Sequence, residues 1–392
     1  MLDTKQLSQV QQLSKNLSGL GTHRPRVVWD MTFTIRSQTG TRVYTQNLYQ
    51  TLRATSAWEF VELYGTREIG PRGRGNLKSN AQNIWWLLNG AERQVKLQPP
   101  DLYHAAAFLA PLRVPCPFVL NVFDTTYIEF HQHYDWKWNF YARTFIPNGI
   151  KNASAILTLS EHARGEIVRA YRVPRERVTV VPPGIGAEFQ PPARAEAIAA
   201  MRAKYGVSEN YLIHGGGAHA RKNVPALIAA FARLCDTMPD LTLTLYGPHV
   251  LESARIREAI QAHGLAKRVT LLGYIPPQDL PALLAGARAF VYASKLEGFG
   301  MPPVEAMACG TPVVSAPNPP MPEVLGDAAY LTENDSPEAL AVGRTRVLKD
   351  DVLAQTLRAR GMERARLYTW ENAARKTLAV YENILAKQKA AA

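Results

Sequence analysis

The stretch Leu296-Glu297-Gly298-Phe299-Gly300-Met301-Pro302-Pro303-Val304-Glu305-Ala306-Met307-Ala308-Cys309-Gly310-Thr311-Pro312-Val313-Val314 decides how this chain is read. Before it stands Ala289-Phe290-Val291-Tyr292-Ala293, a short β-prone apolar run bounded by polar residues, which reads as a buried parallel strand. Gly298 and Gly300 permit a tight turn and a close approach of backbone to a ligand. Pro302-Pro303 fits a first helical turn, where a missing N–H costs nothing. A short helix is expected from there to Gly310, a C-cap residue type. Strand, glycine turn and helix together leave free N–H groups and a positive dipole end at the sheet edge, an anion site with phosphate as its natural guest. Glu297 in the turn and Glu305 inside the helix flank that site at different depths, one placed to meet a sugar and the other a ribose.

Two glutamates separated by seven residues, in an E-G-F-G-x-P-x-x-E-A-M-A-x-G-x-P-V-V context, run from Glu297 to Val314. In this the chain resembles the retaining, nucleotide-sugar-dependent glycosyltransferases of group 1 (family 4). The resemblance implies an α/β fold of the GT-B type: two Rossmann-like domains facing a central cleft, with a C-terminal helix returning to the first. A lone G-x-G would carry far less weight.

Size and composition fit that expectation. A chain of 392 residues exceeds one ordinary core and suits two domains. With 46% hydrophobic and 20% charged residues it is globular in type. No apolar run of about 18 residues or basic-then-apolar leader occurs, so a cytoplasmic protein is expected, with peripheral attachment to the inner face of a membrane as the variant. Cys116, Cys235 and Cys309 share no metal-ligand spacing and are expected to pack as small apolar residues. The net charge of +12 and pI near 9.6 call for an anionic partner: nucleotide phosphates, anionic lipid headgroups or nucleic acid. Expected boundaries are an extension over 1–24, an acceptor-side domain over 25–190, a donor-binding domain over 191–369, and a returning helix over 370–392.

In the first half, Arg26-Val27-Val28-Trp29-Asp30 reads as a strand, followed by a loop with Thr39-Gly40-Thr41-Arg42 and a helix through Tyr44, Leu48 and Leu52. The resembling family has T-G-I-G-R-Y here. This chain keeps Thr39, Gly40 and Tyr44 but carries Arg42 at the second glycine, either as a direct phosphate partner or as an exposed loop arginine. Gly40 is the site residue taken from this loop. Further strands are expected at Phe60–Tyr64, Asp101–His104 and Phe118–Phe123. The last ends at Asp124, where the family has His-Asp and this chain has Phe123-Asp124. Asp124 is therefore a candidate for orienting acceptor or donor, or a helix N-cap. From Tyr127 to Phe145, aromatic residues alternate with His131, His133, Lys137 and Arg143. That pattern fits an amphipathic core helix, with an acceptor sugar, a lipid surface or single-stranded nucleic acid as the functional alternatives. A strand at Ala155–Leu159, Ser160 as a helix cap, a strand at Val178–Val181 and a linker over 186–194 close the half.

The second half opens with Tyr211-Leu212-Ile213-His214, then Gly215-Gly216-Gly217 and Ala220-Arg221-Lys222-Asn223, again a strand, a glycine loop and a cationic pair at a helix start. This resembles the family's R-K-N element, whose lysine contacts the donor diphosphate; Lys222 and Arg221 carry that role over. His214 and His219 read as loop fillers. Trp370-Glu371 matches the point where the family's last helix returns to the first domain.

Together these residues predict a glycosyltransferase with Glu297 and Asp124 at the reacting sugar. Gly40, Arg221, Lys222, Gly298, Phe299, Gly300, Met301 and Glu305 are predicted to hold the donor, the diphosphate on the Gly298–Gly300 amides and Lys222, and the ribose on Glu305. The resemblance implies retention, and no metal or cofactor is expected because cations and a helix end neutralise the leaving group and no D-x-D pattern occurs. Mannose from GDP-mannose, passed to a saccharide or lipid-linked polysaccharide precursor such as that of lipopolysaccharide, is the first donor and acceptor expectation. The partners would then be a nucleotide sugar, the saccharide acceptor and an anionic membrane surface, with nucleic acid not expected. A UDP-sugar donor, a nucleotide-sugar epimerase of the same architecture and a non-enzymatic nucleic-acid binder are the alternatives.

Overall fold

The computed structural model describes residues 24–34, 40–65, 77–192 and 195–391. Residues 1–23 of the expected extension, Thr39, and 193–194 of the expected linker lie outside the described residues. The first sheet comprises β1 (Arg26–Asp30), β2 (Glu59–Leu63), β3 (Leu102–Ala105), β4 (Phe118–Asn121), β5 (Ala155–Thr158) and β6 (Val178–Val180). Its order is β2-β1-β3-β4-β5-β6, every pairing parallel. The second comprises β7 (Tyr211–Gly215), β8 (Thr242–Tyr246), β9 (Val269–Leu272), β10 (Ala289–Tyr292), β11 (Val313–Ser315) and β12 (Tyr330–Leu331), ordered β12-β11-β10-β7-β8-β9 and also parallel.

In chain order the second sheet runs 3-2-1-4-5-6, the doubly wound arrangement whose winding reverses between β7 and β10. Loops leaving the carboxyl ends of the strands at such a reversal diverge to opposite faces and leave a crevice between them. The register Ala289↔Leu212 and Phe290↔Ile213 fixes which side chains face which helical layer. Leu212, Ala289 and Val291 pack with the helices Val224–Ala232 and Pro337–Lys349. Ile213, Phe290 and Tyr292 pack with Phe299, Val304 and Met307. Because both faces are covered, these strands read as continuous apolar runs rather than alternating ones.

The last helix, Trp370–Ala391, contributes Trp370, Ala373, Ala374, Tyr381 and Ile384 to the core of the first sheet, beside Val27, Trp29, Tyr44 and Leu48. The C-terminal helix thus returns to the first domain, as the family resemblance implied. Leu159 packs against the cores of both halves. All three cysteines are free, Cys309 in the core and the other two half-buried.

Local differences from the sequence reading have local causes. The first helix begins at Gly40, so Gly40 to Arg42 form its first turn rather than a loop, and Arg42 is exposed. His214 is not a loop residue: it lies within β7, buried, its Nδ1 donating to the Val291 carbonyl at 2.9 Å. The helix Met301–Ala308 ends one residue before its expected cap. Cys309 is the C-cap and Gly310 follows at φ +75°, the left-handed position glycine favours. β4 ends at Asn121, whose amide is turned aside to the Ala106 carbonyl and whose carbonyl oxygen meets His104, although the Val122 N–H still donates to Leu157.

Candidate active site

The crevice between β7 and β10 collects the predicted donor residues. β10 delivers Tyr292, Ser294 and the Glu297 turn, and β7 leads through the three glycines to Arg221 and Lys222, on a short 3-10 turn before the next helix. Glu297 is 7% exposed. Its Oε1 accepts from Lys222 Nζ at 2.7 Å, from Tyr292 OH at 3.0 Å and from Ser294 Oγ, while Oε2 accepts from Arg221 Nη1. Lys222 Nζ also donates to Tyr292 OH at 2.8 Å, and Arg221 Nη1 to the Leu296 carbonyl at 3.0 Å. Burial alone would raise the Glu297 carboxyl, but the charges and hydrogen bonds of Arg221 and Lys222 outweigh it and hold the group far below the usual carboxylate range. Burial pulls the Lys222 ammonium down, and Glu297 only partly restores it. The cluster is two cations on one carboxylate, a net positive charge at the mouth of a Rossmann crevice. It departs from the expected picture of Lys222 free for phosphate and Glu297 free for sugar: in this state they hold each other.

The glycine turn presses against the first half of the chain. A Cβ on Gly298 would lie 2.6 Å from the Phe123 carbonyl oxygen, so only glycine fits there. Gly300, at φ +91°, is the N-cap of the helix Met301–Ala308. Phe299 is a core residue, 3% exposed with its ring edge-on to Tyr368 at 4.9 Å, so it can serve a donor only through its backbone amide. Met301 opens the helix and faces Gly40 across the cleft. An added Cβ on Gly40 would meet Met301 Sδ at 3.7 Å, an ordinary contact, so the protein itself places no steric demand on that glycine.

Glu305 sits deeper along the same helix, half-buried, and its carboxylate makes no hydrogen bond or ion pair among the described residues. Burial, reinforced by the Glu188 charge, pushes its pKa up to about 7. A carboxylate held without a partner suits hydroxyl donors such as those of a ribose. Donor affinity is therefore expected to rise as the pH increases from 6 to 8 and Glu305 ionises, with this dependence lost in Glu305→Gln; donor KM against pH is the measurement. The linked effect on stability has the opposite sense. The contribution of the raised pKa is fully present below about 4.5, the ordinary glutamate value, and is lost as the pH rises through 7.

On the opposite wall, Asp124 is half-buried. Its Oδ1 accepts from Thr126 N at 3.0 Å and Thr126 Oγ1 at 2.7 Å, which starts the helical turn Thr126–Glu129. Its charge acts on both Arg221 and Lys222 across the cleft. The N-cap is Thr125, so Asp124 is not the cap the sequence allowed for: it stands one residue before it, bonds forward to Thr126 and belongs to the cleft. Phe123 is a core residue whose ring lies edge-on to Tyr44 at 5.1 Å and Phe108 at 5.3 Å, so only its carbonyl reaches the site. Among the described residues, burial pushes His214 down to about 4, which leaves it neutral, and desolvation with the nearby charges of Arg221 and Lys222 also lowers His219.

Residues 10–189 match the family described as Glycosyltransferase Family 4, and residues 198–366 match Glycosyl transferases group 1. An O-antigen chain mannosyltransferase B of Escherichia coli is 30% identical over 283 residues, covering 72% of this chain and 74% of that protein. The chain belongs to the group 1 glycosyltransferases. A serotype-specific mannosyltransferase, WbdA of Escherichia coli, is 28% identical over 242 residues, which are 60% of this chain and 29% of that longer protein. The glycosyltransferase fold is also seen in a sucrose-phosphate synthase of Thermosynechococcus elongatus, with a TM-score of 0.74 at 19% identity over 93% of this chain and 100% of that one. WaaG, a glycosyltransferase involved in lipopolysaccharide biosynthesis, gives a TM-score of 0.70 at 19% identity over 89% and 98%. These structures place the two sheets in the GT-B architecture.

For a group 1 glycosyltransferase the sequence reading omitted several cleft residues. Tyr292 and Ser294 complete the Glu297 cluster. Tyr134 OH meets Thr126 Oγ1 at 3.0 Å and feels the charges of Asp124, Arg221 and Glu297. The Pro319 carbonyl accepts from Glu297 N at 3.2 Å. Tyr292 was legible as the last residue of the apolar strand before the motif. Tyr134 belongs to the aromatic stretch Tyr127–Phe145 that the sequence marked, but only the fold brings it, and Pro319, near Glu297.

Proposed function

We propose that the chain transfers a hexose from a nucleotide sugar to a saccharide acceptor with retention at the anomeric carbon, and that the donor is GDP-mannose. The observation that carries this is the Arg221–Glu297–Lys222 cluster beside the glycine turn, facing Asp124. A donor diphosphate laid on the Gly298–Gly300 amides takes up the positive charge in excess of Glu297, which leaves the carboxylate beside the sugar as charge develops at its anomeric carbon. The departing phosphate receives the acceptor proton on the same face. The chain's own cations, Arg221 and Lys222, supply the neutralisation in this reading, which therefore invokes no metal. Mannose is favoured by the mannosyltransferases among the relatives. A UDP-sugar is the second reading, favoured by a structural neighbour solved with UDP and glucose. A thermal-shift panel of GDP- and UDP-sugars tests the donor, because a ligand that binds only the native state raises apparent stability. The anomeric configuration of the product, read by NMR, tests retention; inversion, or release of free sugar as the only product whatever acceptor is offered, would overturn it.

The acceptor in this proposal is carried at an anionic membrane surface. Among the described residues no helix is long and apolar enough to span a membrane. The helix Trp136–Asn152 buries Tyr141, Phe145, Ile146 and Ile150, as an amphipathic core helix should. Trp136 and Phe140 stay exposed on it, Ile128 is exposed just before it, and His131, His133 and Arg143 are exposed nearby. Exposed apolar residues beside basic side chains suit a lipid interface. Co-sedimentation with anionic vesicles is expected at low salt and should fall steeply at high salt, and Trp136→Ser should weaken it. Equal binding to neutral vesicles would count against the electrostatic part.

A further inference from the structure

Glu323, in the short helix Met321–Leu325 of the second half, reaches into the first half. Its carboxylate accepts from Glu161 N at 2.7 Å and from His162 N at 3.0 Å, the first two amides of the helix Glu161–Tyr171. The third amide, Ala163 N, is taken by Ser160 Oγ at 3.1 Å. First-turn N–H groups have no acceptor within their own helix, and a carboxylate at that end also gains from the helix dipole.

The segment that carries Glu323 also carries the donor turn. Asn318 Nδ2 donates to the Ser294 carbonyl at 3.1 Å, Pro319 accepts from Glu297 N, and Met321 packs on Gly300. Behind it, Arg364 Nε and Tyr368 OH both donate to the Val324 carbonyl at 2.9 Å, and the Tyr368 ring supports Phe299. A packed, hydrogen-bonded chain therefore runs from the glycine turn to the carboxylate that grips the other half.

We propose that Glu323 is a positioning residue that holds the cleft closed for transfer, coupling the set of the donor turn to a grip on the helix Glu161–Tyr171. The proposal rests on the transferase reading. Glu323 touches no reacting atom. Opening the cleft releases its two hydrogen bonds, and closing restores them only when the Asn318–Leu325 segment is in register with the turn. Hinge closure about exposed linkers is the motion such a grip would bias.

The test deletes a backbone donor. Glu161→Pro removes the N–H while keeping the helix, because proline is accepted at the first helical position and Ser160, at φ −147° and ψ 162°, already has the extended backbone a following proline requires. Glu161→Ala is the control: it loses the carboxylate paired with Arg164 and Arg175 but keeps the N–H. Glu323→Ala, which loses both hydrogen bonds, is expected to lower acceptor kcat/KM about tenfold or more, and Glu161→Pro, which loses one of them, by a smaller factor of about threefold or more. Their combination should cost little more than Glu323→Ala alone, Glu161→Ala should stay near wild type, and donor affinity should change less than about twofold. Hydrogen exchange of the His162 amide, slow in the wild type, should accelerate in Glu323→Ala; this readout needs no substrate. Additive losses, equal behaviour of Glu161→Pro and Glu161→Ala, or unchanged His162 exchange would overturn the proposal. A wild type without transfer activity would instead overturn the transferase reading, with the exchange result still deciding the grip.

Discussion

Glu297→Gln is expected to lower kcat by about 10²-fold or more without raising donor KM. The carboxylate is fixed by Lys222, Arg221, Tyr292 and Ser294, so in the proposed reading it would act as a preorganised negative charge beside the sugar. The amide keeps the shape and loses the charge. Arg221 and Lys222 are then free to bind the diphosphate more fully, which is why donor KM should hold or fall while turnover collapses. A buried pair broken on one side also costs stability, about 3 kcal/mol or more, so thermal melts must accompany the kinetics. The sign of its pH dependence follows from the depressed carboxyl: the stabilisation is fully present above about 4.5 and is lost as the pH falls towards the native value. A mutant that is folded, binds donor and retains wild-type kcat would remove Glu297 from the reacting centre.

The second large effect is expected of Gly298→Ala. The new methyl would stand 2.6 Å from the Phe123 carbonyl oxygen, where backbone meets backbone and neither side can swing away. The turn and the opposite wall must separate by about 1 Å to restore contact distance, and a displacement of that size at a reacting centre costs about 10²-fold in rate. Because the strain falls between the two halves rather than within one core, the melting temperature should move little. Gly40→Ala supplies the steric contrast: it faces the same cleft but an added Cβ meets only Met301 Sδ, at 3.7 Å, so the fold should accept it with an unchanged melting temperature. Wild-type kcat/KM in Gly298→Ala would mean that the closed arrangement of the turn on Phe123 is not the reacting one.

What the sequence by itself determined was local. Short apolar runs separated by helix-length segments specified the parallel strands, and Gly298, Gly300 and Pro302-Pro303 specified the turn and the helix start, because glycine and proline act through their own backbone. The spacing of Glu297 and Glu305 put them at different depths on one element. Ser160 announced a helix start that the structure keeps. Their environments were decided elsewhere. That Glu297 is buried among cations while Glu305 stands without a partner depends on β7 lying beside β10, although β8 and β9 intervene in the chain. Phe123, where the resembling family has a histidine, became core because Tyr44 and Phe108 close over it from other elements. Glu323 looked like one exposed acid among many until the helix Glu161–Tyr171 was placed against it. Burial, charge pairing and reach across a cleft are sums over neighbours distant in the chain. A residue's own type sets what it can bond, and tertiary structure alone decides which partners are there to be bonded.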